Sequence, residues 1–339
     1  MIKQLSSLFL ISALLSNTPT YWTFGLENGY DSNVLRFSEL EKGEVDLYPE
    51  IMGGMNTFDS HVLKGSLYGK KDIYLKGNAL TITGLIGLTN YSQVALKQYE
   101  SYHLKVAYKL GSYKKIEYSI NHLDQYYLRH YINRDISSTF LAACAFSDRD
   151  QKVGFSHPLF KRTWVNVWGG YLQRYYNAPF TEFDLDIYYG RIKLNHSIRR
   201  FGKVGFQFEQ GRAHNSTFQN TARASDFDRS YSYAHFYLPL SKTKQNKWTD
   251  GIGGAIRADI RLYDAENLGD PLHAGRNHVD MKIDYWLKKS ITETISIKST
   301  VRHRWRKTDS QFEWVESLKS FNQWQVWCKI EWNMIYDQY

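Results

Sequence analysis

Trp324-Gln325-Val326-Trp327-Cys328-Lys329-Ile330-Glu331-Trp332-Asn333-Met334-Ile335-Tyr336 lies three residues from the end of the sequence. Trp324, Val326, Cys328, Ile330, Trp332, Met334 and Tyr336 are apolar or aromatic at every second position. Gln325, Trp327, Lys329, Glu331, Asn333 and Ile335 alternate with them. A period of two predicts an extended strand with one greasy face and one mostly polar face. The stretch is longer than the usual strand of ~5–6 residues. Length, alternation and a closing aromatic are what a lipid-crossing strand needs, with one face toward hydrocarbon and the other toward a lumen.

Composition agrees. Mean hydropathy is −0.51, and no segment approaches the ~18 consecutive apolar residues of a membrane helix. A barrel stays open, because only alternate residues of its strands need be apolar. The 339 residues carry 26 Tyr, 18 Phe and 10 Trp but only six Pro. That balance suits a large sheet with aromatic interfaces, although a soluble carbohydrate-binding β protein would share it. The net charge of +9 admits nucleic-acid binding in principle. The charges, however, are spread along strands and loops with no Lys/Arg block, so no nucleic-acid partner is expected. Cys144, near an expected loop, and Cys328, on a greasy strand face, are poorly placed to pair, and they have no metal-type spacing.

The start of the chain reads as an export signal. Lys3 is the basic head, Leu8–Leu15 the apolar core, and cleavage falls near Ser16. The expected organisation is a signal peptide (1–16) and one barrel domain (17–339).

Alternation then recurs along the chain. The first strand is read over Tyr21–Tyr30 and followed by a loop over Asp31–Ser60, in which Val45, Leu47, Pro49 and Ile51 alternate but Pro49 and Gly53-Gly54 argue against a membrane strand. Strands follow at Val62–Ile73, Ala79–Asn90, Ser101–Leu110 and Lys115–His122. Leu123–Asp150 is read as a long loop, with a further strand pair as the alternative. Next come Gln151–His157, Thr163–Tyr175 and Glu182–Ser197. In the last of these, Ile192 and Leu194 are out of phase with Leu185 and Ile187, which predicts a bulge. A ninth strand is marked by Val204, Phe206 and Phe208, and others cover Ser230–Leu240, Ile252–Leu262, His278–Leu287 and Ile291–Arg306 before the closing one. Polar loops are expected at Asn215–Asp228 and Lys307–Asn322 and a Lys-rich turn at Ser241–Asp250. Odd-numbered connections are mostly longer than even ones, the barrel signature of long outer loops and short periplasmic turns. The expectation is an all-β, antiparallel, up-and-down transmembrane β-barrel of about fourteen strands, with twelve or sixteen as alternatives.

These features resemble bacterial outer-membrane β-barrels over roughly Tyr21–Tyr336. Gly29-Tyr30-Asp31-Ser32-Asn33-Val34 is similar to the opening strand of several such barrels and to the barrel part of surface-lipoprotein assembly modifiers. The large helical-repeat domain of that family has no counterpart here, so its secretion role is not carried over. The resemblance implies outer-membrane lipid as surroundings and recognition of Trp324–Tyr336 by the barrel-assembly machinery. Asp337-Gln338-Tyr339 after the terminal signal departs from the pattern.

With apolar faces toward lipid, the last four strands turn Arg257, Asp259, Arg261, Asp280, Lys282, Asp284, Lys298, Arg302, Arg304, Lys329 and Glu331 toward the lumen. Placing Arg or Lys in mid-bilayer instead would cost ~2–4 kcal/mol each. The surplus of cations points to passage of small polar, anion-leaning solutes. A ladder of salt bridges that merely fills the lumen is the competing reading, and a non-transporting barrel for surface binding or export of a partner is the competing function. His122, His130, His157 and Asp148 are the residues from which a catalytic group would have to be built, and Asp184 and Asp186 are read as two inward carboxylates. No spaced catalytic, cofactor or metal motif accompanies them, so no enzyme, cofactor or metal is expected.

Overall fold

The structure is a computed structural model. It describes residues 18–337 except 134, 220–226, 244, 245 and 247. The expected signal segment 1–16 and the residues after Asp337 lie outside the described residues.

Fourteen antiparallel strands form one closed barrel in which each strand pairs with its sequence neighbours and the first with the last. They are β1 (Thr20–Asp31), β2 (Ser60–Leu75), β3 (Asn78–Tyr91), β4 (Tyr99–Gly111), β5 (Lys114–Ile132), β6 (Leu141–Phe160) and β7 (Thr163–Tyr176), then β8 (Leu185–Ile198), β9 (Gly202–Asn215), β10 (Tyr231–Thr243), β11 (Gly251–Tyr263), β12 (Asn277–Ser290), β13 (Ile295–Asp309) and β14 (Phe321–Tyr336). β14 closes the barrel on β1 in continuous register from Thr20↔Tyr336 to Asp31↔Gln325. Closure leaves no unpaired strand edge, the condition for backbone inside hydrocarbon.

β14 carries out its sequence pattern. Phe321, Gln323, Gln325 and Trp327 are buried, while Trp324, Val326, Cys328, Ile330 and Trp332 are exposed. Similar outward rows run around the barrel, through Phe24, Leu26, Leu63, Leu67, Ile86, Leu88, Leu104, Val167, Ile192, Leu194, Phe206, Leu238, Ile256 and Val301. Exposed apolar side chains in a continuous belt on a closed barrel are explained by a lipid surround. Most strands are 12–16 residues, ample for the ~9–11 residues of a tilted crossing.

The connections are strongly unequal. One end has 32–59, 92–98, 133–140, 177–184, 216–230, 264–276 and 310–320, and the other has 76–77, 112–113, 161–162, 199–201, 244–250 and 291–294. By the barrel rule the first end is the outer mouth and the second the periplasmic rim.

The reading of Leu123–Asp150 is corrected. It is neither a long loop nor an extra strand pair. β5 and β6 are simply long, at 19 and 20 residues. The pattern is hidden because their pairing slips twice, between Leu123 and Tyr126 and between Tyr127 and Arg129. Each extra residue moves the following side chains to the other face. Cys144, read as near a loop, is buried inside β6, whereas Cys328 is exposed on β14.

The bulge predicted in β8 is absent. Its register with β9 is unbroken from Leu185↔Asn215 to Ile198↔Gly202. The phase changes because Leu185 and Ile187 point inward, into a cluster with Ala213 and Tyr231, while Ile192 and Leu194 point outward. Asp186 therefore faces out, accepting from Tyr171 Oη at 2.6 Å. Asp184 precedes the strand and accepts from the Tyr176 amide at 2.7 Å. The two are not paired inward carboxylates.

Residues 32–59 form no extra strand. Ser38 caps a short helix, Glu39–Glu44, with a reciprocal bond to Glu41 (Ser38 N–H to Glu41 Oε2, 2.9 Å; Glu41 N–H to Ser38 Oγ, 3.1 Å). Pro49 opens a 3-10 turn, Pro49–Met52, which ends on Gly53 at φ 63°, a left-handed conformation that favours glycine. The alternating Val45–Ile51 stretch is thus consumed by helix ends. β13 starts at Ile295 rather than Ile291, because Thr292 Oγ1 caps the turn by accepting from the Ile295 amide at 2.9 Å. A helix, Glu313–Lys319, lies in the last outer connection.

Candidate functional site: the charged lumen

All eleven residues assigned to the lumen from alternation lie on the inward face of β11–β14. Most are held in pairs. Asp284 takes Arg302 at 2.5 Å and Arg257 at 3.8 Å. Asp280 takes Arg304 at 2.5 Å and Arg306 at 3.0 Å. Asp259 takes Lys282 at 3.3 Å, and Glu331 takes Lys329 at 2.9 Å and Lys288 at 3.1 Å. Arg261 and Lys298 have no carboxylate within 4 Å among the described residues. They lie beside rings instead, Arg261 5.0 Å from Tyr231 and Lys298 5.2 Å from Trp286. The cross-strand ladder is therefore real, but it does not neutralise every cation.

Across mid-barrel the ladder borders a cavity of about 370 Å³ lined by Glu27, Lys64, Tyr237, Arg257, Asp284, Lys298, Arg302 and Trp327. These residues come from β1, β2 and β10–β14, so the space lies within the barrel. Trp327 rests on Gly29, where a Cβ would stand 1.9 Å from the ring. Lys64 Nζ covers the same ring at 3.4 Å and pairs with Glu27 at 2.9 Å. Glycine is required at position 29 because the indole lies flat on the neighbouring backbone.

The outer mouth is built differently. Residues 32–59 fold inward, and Val34, Leu35, Phe37, Met52 and Met55 pack with Val62, Tyr91, Val94, Tyr127 and Trp327. The root of this loop is stitched to β14. Gln323 and Gln325 each donate to Asp31 at 2.7 Å, and Asn33 Nδ2 donates to the Asn322 carbonyl at 3.0 Å. Its far side reaches β5, where Arg129 pairs with Glu41 and Arg36 donates to Tyr126 Oη at 3.2 Å. Lys97, only 2% exposed, donates to the Val34 carbonyl at 3.1 Å and lies 4.8 Å from the Tyr126 ring.

Arg36, Lys97, Arg276 and Lys319 of these outer connections have no carboxylate within 4 Å among the described residues. Arg276 stacks on Tyr263 at 4.1 Å, and Lys319 lies 6.0 Å from Tyr131. Burial pushes the Lys97 ammonium below the ordinary lysine range, and burial followed by repulsion from Arg129 and Arg276 brings Lys319 down to about 7. Desolvation also lowers His273 to about 4, against a hydrogen bond with Asp270. These groups sit where charge is expensive, in a region already rich in positive charge.

Sequence reasoning missed the outer set. Arg306 was legible, being in phase with Arg302 and Arg304. Arg129 and Arg174 lie on the slipped or bulky strands β5 and β7, and Arg36, Lys97, Arg276 and Lys319 are in loops, where no periodicity reports direction. The histidine set is not brought to one site. His122 Nδ1 meets the Asp148 backbone carbonyl at 2.9 Å, while the Asp148 carboxylate is held by Arg174 through two contacts of 2.8 Å. His130 bonds Tyr127 Oη at 2.6 Å, and His157 stacks on Phe155 at 5.9 Å.

A closed barrel with an exposed apolar belt, a charged interior, short turns at one end and long inward-folding connections at the other is a transmembrane β-barrel of the bacterial outer-membrane type. No family model matches the chain, and no curated protein matches it. Among solved structures it is similar to OpdK of Pseudomonas aeruginosa with vanillate, at 8% identity over 94% of this chain and 99% of that one, TM-score 0.40. It is also similar to an anion-selective porin from Comamonas acidovorans, at 6% identity over 93% and 98%, TM-score 0.42. OmpT of Vibrio cholerae gives 7% identity over 94% and 99%, TM-score 0.45. Likeness at this level carries no statement about what this chain binds or passes, and the barrel architecture rests on its own closed strand order. The likeness of Gly29–Val34 to surface-lipoprotein assembly modifiers finds no support in these neighbours; the stretch is the stitched root of the first outer loop.

Proposed function

We propose that this barrel is a porin-like channel of the bacterial outer membrane that passes small polar solutes and prefers anions. The supporting observation is the surplus of lumen cations. Each carboxylate of the β11–β14 ladder already holds a cation, whereas Arg36, Lys97, Arg261, Arg276, Lys298 and Lys319 have no carboxylate within 4 Å among the described residues. Rings of Arg and Lys favour anions in pores. The eleven ladder residues line the path in this reading, residues 1–16 direct export, and Trp324–Tyr336 is the strand recognised by the barrel-assembly machinery. No catalytic step is assigned to any residue.

Proteoliposome swelling tests this. Vesicles carrying the refolded protein swell faster in isotonic potassium gluconate, with valinomycin carrying the potassium, than in isotonic N-methylglucammonium thiocyanate, whose anion crosses the lipid by itself. Swelling no faster than that of protein-free vesicles overturns the channel and favours the second reading, a non-transporting barrel that binds or exports a partner. That reading draws on the apolar packing of residues 34–55 across the mouth.

A further inference from the structure

A second lumen cavity, of about 200 Å³, lies against β6–β11 and is lined by Asp150, Leu172, Arg174, Ile187, Tyr189, Arg191, Glu209, Tyr231, Tyr233, Asp259, Ile260 and Arg261. Its charges are equal in number but not in availability. Arg174 is held by Asp148 at 2.8 Å, and Arg191 is held by Glu209. Asp150 accepts from Tyr189 at 2.5 Å and Asn121 at 2.6 Å, Glu209 also accepts from Tyr233 at 3.0 Å, and Asp259 takes Lys282 at 3.3 Å. Among the described residues Arg261 is the one lining cation without a carboxylate within 4 Å. The hydroxyl of neighbouring Tyr231 donates to no described residue. Leu172, Ile187 and the Tyr231 and Tyr233 rings supply an apolar wall.

The wall behind Arg261 strengthens its pull on an anion. His278 is its register partner on β12, and Thr308 is the partner of His278 on β13. The Nε atoms of Arg276 and Arg306, His278 Nε2 and Thr308 Oγ1 are all buried without a hydrogen-bond partner. Buried polar groups in native proteins are nearly always satisfied. Here four unsatisfied ones crowd behind one unpaired guanidinium, next to a cavity.

We propose that this cavity is a binding station for a small monocarboxylate with an apolar body of a few carbons. The carboxylate docks on the Arg261 guanidinium and the Tyr231 hydroxyl, and the body rests on Leu172, Ile187 and Tyr233. Arg276, Arg306 and His278 act as positioning residues behind Arg261. The station rests on the channel reading, since it names the solute class the lumen retains, but its test does not require conduction.

Calorimetric titration of the full refolded barrel in detergent provides that test, with butyrate, inorganic phosphate and butylammonium as probes. Butyrate should bind saturably, phosphate more weakly and butylammonium not at all. Removing a hydrogen-bonded charge should weaken butyrate about tenfold or more in R261Q, and Y231F should weaken it several-fold. K307Q, an outward substitution on β13, should bind like the parent. Y231F keeps the ring packing and stays informative if R261Q does not refold. Absence of saturable butyrate binding, or unchanged affinity in the Arg261 and Tyr231 variants, overturns the station. Phosphate binding as tight as butyrate, or equal binding of butylammonium, overturns the assigned ligand class. Butyrate binding without conductance would sink the channel and leave the station, and conductance without butyrate binding would do the reverse.

Discussion

The middle of the lumen and its outer mouth are lined by the same residue types and solve the charge problem in opposite ways. Along the shaft, Asp259, Asp280 and Asp284 hold arginines and lysines from neighbouring strands, Glu331 holds Lys329 of its own strand, and Asp284 borders an open cavity of about 370 Å³. At the mouth, Arg36, Lys97, Arg276 and Lys319 lie among tyrosine rings and carbonyls, under a loop whose apolar residues fill the space. A strand ladder can pair charges because register fixes which side chains are opposite. Arg36, Lys97, Arg276 and Lys319 have no such opposite positions, and that leaves unpaired cations at the mouth above a largely paired shaft.

Removing the mouth should have the largest effect. Replacing residues 34–56 with a short Gly-Ser linker leaves the Asp31↔Ser60 end of the β1–β2 pairing in place and takes out both the apolar plug and Arg36. Single-channel conductance is expected to rise several-fold. Unchanged conductance would mean that the loop does not restrict the path.

Unpairing the shaft comes next. Asp284→Asn leaves Arg302 and Arg257 on the lumen wall without their carboxylate. Breaking a buried pair by removing one partner costs roughly 3 kcal/mol, readable as a lower midpoint in urea unfolding followed by tryptophan fluorescence. The same change adds positive charge to the shaft, so anion preference should increase. Loss of stability without a change in preference would confine the ladder to a structural role.

A smaller effect is expected at the junction of the two regions. Gly29→Val drives a side chain into the Trp327 ring, and overpacking of this kind costs about 1–3 kcal/mol. Near-ultraviolet circular dichroism should report a displaced indole. A stable variant with an unchanged aromatic signal would contradict the close approach.

The smallest effect concerns Lys319. Its folded pKa, lowered by burial to about 7, lies below the ordinary lysine value of roughly 10.4. Between these values the unfolded chain holds the extra proton, so stability rises with pH across that window, and the penalty is at full size below pH 7. Lys319→Met should flatten this rise relative to the parent. Equal slopes in urea unfolding from pH 7 to 10 would contradict a desolvated ammonium.

What was legible in the sequence follows the same division. In β11–β14, alternation put eleven charged residues on one face of their strands but left out Arg306 and Lys288, which also join the ladder. β14 was bounded within three residues of its true start, and its pairing with the first strand followed from closure. Legibility failed where lipid no longer sorts the residues. β5 and β6 run on past two register slips, and the outer part of β8 turns Leu185 and Ile187 into a packed mouth, which inverts the hydrophobic phase without any bulge. The inward course of residues 32–59 had only a composite signal, a capping box at Ser38–Glu41 and a Pro49 start, and neither says which way a loop folds.

The most direct measurement is the reversal potential of the refolded protein in a planar bilayer under a tenfold gradient of potassium chloride. Unpaired cations at the mouth above a largely paired shaft predict an ohmic conductance whose reversal potential is displaced toward the chloride equilibrium value, and less displaced in a variant carrying Arg36→Gln and Arg276→Gln. A reversal potential on the potassium side, or no conductance from a correctly folded barrel, would contradict it.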